Sequence, residues 1–150
     1  MKKTYNFFVL VFISGLILFS GCKKNDDDPG ISDEQRQIER LAHTWVPGTI
    51  TFEGAPAPGF QNFTITFNTG NSYTAQNGYP VFKNSGSWAF KQEGGNINVQ
   101  TIVLDNNPAL ELRITSLTET NFNSNITLSG SANARTMGLD GTYAFNLVRQ

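Results

Sequence analysis

Cysteine and histidine are almost absent: Cys22 and His43 are the only examples in 150 residues. One thiol allows no internal disulfide, and one imidazole allows no multi-histidine metal site. Any Ser-His-Asp or Cys-His device would have to run through His43. Charge is also scarce, at 15% Asp, Glu, Lys and Arg, and it forms no basic stripe or Arg-rich cluster, which argues against nucleic acid as a partner. The glycines fall between apolar runs and open no helix, so no phosphate-cradling loop is present. Glu53, Glu93, Asp105, Glu111, Glu119 and Asp140 lie mostly beside turns, and their spacing pairs no two for acid–base work. The chain reads as non-catalytic, with no cofactor and no metal.

The N-terminus carries the most specific signal. Lys2 and Lys3 form a short positive region, and residues 7–19 are almost wholly apolar, the length of an export signal and short for a membrane span. Leu18-Phe19-Ser20-Gly21-Cys22 then resembles a lipobox, in which small residues precede a cysteine that takes up diacylglycerol. Residues 1–21 are therefore expected to be a cleaved lipoprotein signal, with Cys22 as the lipidated first residue of the mature chain. Lipidation also explains why a lone thiol persists in an oxidising compartment. Residues 22–31 read as a charged, solvated tether containing Asp26-Asp27-Asp28 and a Pro-Gly breaker. The acidic run resembles the export signals of Bacteroidetes lipoproteins. It implies lipid anchoring to the outer membrane, at the cell surface or on the periplasmic face.

Roughly 110 residues remain, enough for one domain spanning 32–150. Without Lys2 and Lys3 the chain keeps nine basic residues against twelve acidic ones. Residues 32–42 read as a short helix. Ser32 and Gln35 have capping-box spacing, Asp33 and Glu34 suit the first turn, and Ile38 with Leu41 makes a narrow apolar stripe.

From Trp45 onward the period changes to two. Phe63, Ile65 and Phe67 alternate with Thr64 and Thr66, and similar runs recur to the C-terminus. Clusters such as Asn77-Gly78, Asn84-Ser85-Gly86, Gly94-Gly95-Asn96 and Asp140-Gly141 supply turn residues between them. Strands are predicted over 44–52, 60–68, 72–76, 86–92, 96–104, 109–117, 121–129 and 141–149. The loop 54–59, with Pro56 and Pro58, reads as an unpaired rim loop, and 131–139 as a second irregular stretch. Hairpin-length links without crossover helices predict an all-β fold: a small antiparallel up-and-down β-barrel of about eight strands behind a short N-terminal helix.

Several segments together look like the lipocalin-like domains of Bacteroidetes lipoproteins. They are Leu41-Ala42-His43-Thr44-Trp45, Tyr73 after a Gly-Asn turn, Gly86-Ser87-Trp88-Ala89-Phe90 and Ile114-Thr115-Ser116-Leu117-Thr118. His43 stands where that family has a glycine. The resemblance spans residues 40–150 and implies a binding fold, with small apolar molecules as the ligand class. Phe63, Phe67, Trp88, Phe90, Tyr143 and Phe145 are the candidate barrel-lining residues. They read either as walls of a ligand pocket or as a filled core. Trp45 reads as a structural plug at one end, with Arg113 or Arg149 as a stacking partner, and His43 as a residue packed near a barrel end. Two functions follow: binding of a small apolar or amphipathic ligand, or an interaction module in a surface protein or glycan complex. Replacing Cys22 by Ser should abolish incorporation of labelled palmitate and move the protein from the membrane to the soluble fraction. Retained label in that variant would refute the anchor.

Overall fold

The computed structural model describes residues 31–129 and 140–150; the signal, Cys22, the tether to Gly30 and the stretch 131–139 lie outside the described residues. The first element, α1 (Asp33–Leu41), begins where Ser32 Oγ accepts the Gln35 N–H at 3.1 Å. Only half of the capping box forms, because the Gln35 side chain donates instead to Glu39. Leu41 is fully buried, and Ile38 packs against the same core.

Nine strands follow: β1 (Thr44–Phe52), β2 (Ala55–Pro56), β3 (Thr64–Asn68), β4 (Ser72–Gln76), β5 (Ser85–Glu93), β6 (Asn96–Leu104), β7 (Glu111–Leu117), β8 (Asn121–Leu128) and β9 (Gly141–Arg149). All pair antiparallel, β3 to β9 as a meander. β1 meets β3 on one side and runs the length of β9 on the other, from Trp45 opposite Arg149 to Phe52 opposite Tyr143. Eight strands therefore close into a barrel, and β2 is clipped to the end of β1.

Three departures from the sequence reading have local causes. The strand expected over 60–68 starts only at Thr64, because Pro58–Phe60 is a turn of 3-10 helix and Asn62 sits at φ 57°. The loop 54–59 does pair: Glu53 and Gly54, at φ 49° and 79°, make a tight turn that folds Ala55 and Pro56 onto Phe52 and Thr51. Proline is tolerated there because β2 is an edge. In β6 the register jumps from Ile102 opposite Phe90 to Asn98 opposite Lys91. Ile102 and Leu104, on the C-terminal side of that irregularity, lie in the core, while Ile97 on its N-terminal side is 40% exposed.

Each closed strand presents alternate residues inward. Ile65 and Phe67, Tyr73 and Ala75, Trp88 and Phe90, Leu112 and Ile114, and Tyr143, Phe145 and Leu147 form one buried cluster. At the helix end of the barrel, Trp45 is fully buried and its Nε1 donates to the Leu41 carbonyl at 2.9 Å. The rim at the opposite end is built by the β1–β3 and β4–β5 connections, which are tied together where Asn77 Nδ2 donates to the Asn62 carbonyl.

One polar cluster pins the β4–β5–β6 corner. Asp105 Oδ1 accepts the Ser87 N–H, and Oδ2 accepts from the Tyr73 hydroxyl at 3.3 Å and pairs with Lys83 Nζ at 3.0 Å. Gly86 makes this approach possible: a Cβ there would lie 2.0 Å from Asp105 Oδ1 and 2.7 Å from the Tyr73 ring. Gly86→Ala should cost about 1–3 kcal/mol by overpacking. Gly70→Ala, with open space around it, should leave the urea midpoint nearly unchanged; equal midpoints for the two variants would refute the constraint.

Candidate functional site

All six candidate lining residues lie within the barrel core, none more than 6% exposed. Rings from opposite walls meet directly. Phe67 of β3 contacts Phe122 of β8 edge-on at 5.8 Å and Trp88 of β5 at 5.9 Å. Phe63 stacks on Phe82 at 5.5 Å and reaches Phe145 of β9 at 6.0 Å, while Phe90 sits on Trp88 at 5.4 Å. These spacings are those of rings in mutual contact, so the interior between these walls is occupied by the protein's own side chains. Phe60 and Phe82 seal the rim end. Phe60 touches Phe63, Tyr143 and Phe145, and Phe82 touches Phe145 at 5.4 Å. Neither plug is marked as a lining residue by the sequence: Phe60 is out of step with the alternation of Phe63, Ile65 and Phe67, and Phe82 falls between predicted strands.

Trp45 plugs the opposite end without an arginine. Its ring packs on Phe122 at 5.6 Å and edge-on to His43 at 6.2 Å. Arg149, its cross-strand neighbour, turns to Glu119, and Arg113 borders a groove on the outer wall. His43 packs at the junction of α1 and β1, where its carbonyl accepts the Phe67 N–H.

Space opens at the rim. A cleft of about 290 Å³ lies between the two rim connections, bordered by Phe52, Ala57, Phe60, Tyr79, Pro80 and Tyr143 together with Ala55, Pro56 and Gly59. Closure of the sheet builds its floor, since β1 carries Phe52 and β9 carries Tyr143 to ring centroids 4.7 Å apart. Of the six residues proposed from sequence, Tyr143 alone borders this cleft. Burial and the neighbouring Tyr79 phenol push the Tyr143 hydroxyl above the ordinary tyrosine range, so it stays protonated at neutral pH. A wider groove of about 700 Å³ on the outer wall is polar. In it Lys91 Nζ bridges Glu111 and Glu93 at 3.0 and 3.1 Å, and those bonds, Glu111 first, hold the lysine charged.

Among the described residues no group of three His, Cys, Asp or Glu side chains stands ready to hold a metal ion. Nor, among them, is any helix long and apolar enough to cross a membrane. Cys22 lies outside the described residues. No protein-family model, curated protein or solved structure matches the chain.

The tyrosine with the largest shift is structural. Burial first, and the Asp105 carboxylate second, push Tyr73 up to about 12 from 10.0. A raised acid favours the folded state while neutral, so its contribution is whole below pH 10 and disappears between pH 10 and about 12. Urea unfolding across that window should show falling stability in the wild type and a shallower fall in Tyr73→Phe. Identical slopes would contradict the assignment.

Proposed function

We propose that the chain is a lipid-anchored, non-catalytic binding module of lipocalin-like type that takes a small apolar or amphipathic molecule at its rim, not inside its barrel. The observation that carries this reading is the pairing of a ring-filled interior with an open aromatic cleft. Phe67 and Phe122 meet across the barrel, whereas Phe52, Phe60, Tyr79 and Tyr143 leave about 290 Å³ unfilled. That volume is at the small end of ligand sites, and its mainly apolar walls with a few polar atoms match their usual chemistry. The anchor would be the lipid on Cys22, holding the barrel at the outer membrane. Exposure of Tyr79 at 59% beside a proline-bearing loop favours a second reading, an accessory role in a surface protein or glycan complex.

Native mass spectrometry of the protein purified from its own membrane separates the outcomes. A retained small molecule, lost on Ala55→Trp because the indole fills the cleft, supports the rim site. A small molecule kept by Ala55→Trp but lost on Phe67→Leu would place binding in the interior and overturn the proposal. Repeated absence of any small molecule would also sink it.

A further inference from the structure

Among the described residues, those bordering the rim cleft include no Lys, Arg, His, Asp or Glu. A charged ligand entering it would lose hydration and meet no counter-charge, which strongly disfavours ions. The side chains offer two polar atoms, the hydroxyls of Tyr79 and Tyr143, and these are not equivalent. Tyr79 is 59% exposed and its hydroxyl is free to be hydrated. Tyr143 is 3% exposed, with its ring set among Phe52 at 4.7 Å, Phe60 at 5.7 Å and Phe145 at 6.4 Å. Its hydroxyl makes no hydrogen bond to any described residue, yet it is not fully enclosed; among the described residues the fully enclosed side-chain atom without a partner is Ser124 Oγ. A hydroxyl held by its ring in apolar surroundings, short of a partner and bordering an opening, gains most from a ligand that supplies an acceptor.

Resting on the reading of the rim as the binding site, we propose that the cleft selects an uncharged, mainly apolar ring compound carrying one hydrogen-bond acceptor, which receives the Tyr143 hydroxyl proton in a hydrogen bond while its ring packs on Phe52 and Phe60. Phe60 stands edge-on to Tyr143 and Phe52 is tilted against it, so the rings bordering the cleft stand at different angles, and offset or edge-to-face packing is what aromatic contacts favour. An analogue lacking the acceptor covers the Tyr143 hydroxyl without giving it a partner and so binds more weakly.

Acetophenone, ethylbenzene and benzoate are suitable probes, since they share a ring and a short substituent and differ in acceptor and charge. Ligand-observed NMR titration of the full-length protein in detergent should show acetophenone binding about three- to tenfold tighter than ethylbenzene, with benzoate weakest. Tyr143→Phe removes one oxygen and keeps the ring, so it should lower acetophenone to the ethylbenzene affinity and leave ethylbenzene unchanged. Tyr79→Phe should preserve the discrimination. Equal affinities for acetophenone and ethylbenzene in the wild type, or discrimination that survives Tyr143→Phe, would overturn the acceptor rule while leaving the rim site intact. Failure of all three probes to bind, or binding indifferent to Ala55→Trp, would overturn the rim site along with it.

Discussion

Closure through β1 and β9 governs the rest of the structure. Pairing from Trp45–Arg149 to Phe52–Tyr143 turns a meander with two long exposed edges into a cylinder. An eight-stranded cylinder has an interior just wide enough for side chains to fill. This sequence points Phe, Tyr and Trp into it from nearly every wall, and they meet at the centre. The same closure that removes the edges therefore leaves open space at the rim, outside the filled interior. It also assembles the rim cleft, because Phe52 and Tyr143 become neighbours only when the first and last strands join.

Polar groups are few, and several act as fasteners. Asp105 links Ser87, Tyr73 and Lys83, and the tight approach at Gly86 lets it do so. At the helix end, Glu119 lies 3.9 Å from Arg40 and 3.8 Å from Arg149, joining α1, the β7–β8 turn and the end of β9. These pairs are exposed, so they orient segments and add little stability. The aromatic core carries the energetics. Ser124 is the exception inside: a buried hydroxyl without a partner among otherwise apolar neighbours.

The barrel was legible because its signals are local. Alternation around Ile65 and Phe67, and turn pairs such as Asp140-Gly141, mark strands and hairpins without knowledge of what they pack against. The glycine two residues before Trp88 was visible as a motif, and its reason is steric: the space beside Gly86 is taken by Asp105 and Tyr73. Less was legible where tertiary packing overrides pattern. Phe60 reads as the start of the strand that contains Phe63, Ile65 and Phe67, but it lies in a 3-10 turn and turns in to plug the barrel. The β6 irregularity breaks the register with β5 between Phe90 and Lys91, something no alternating pattern announces. The cleft was the least legible feature. Phe52, Tyr79 and Tyr143 lie far apart in the chain, and of these three Tyr79 sits in a turn with no periodicity to indicate a face.

The short strand β2 has a consequence for crowding. The edge that β2 itself presents is the outer side of Ala55–Pro56, two residues long and including one with no N–H to offer. A neighbouring copy therefore finds almost no backbone there on which to template a strand. The strand that caps the end of β1 ends the ladder on that side.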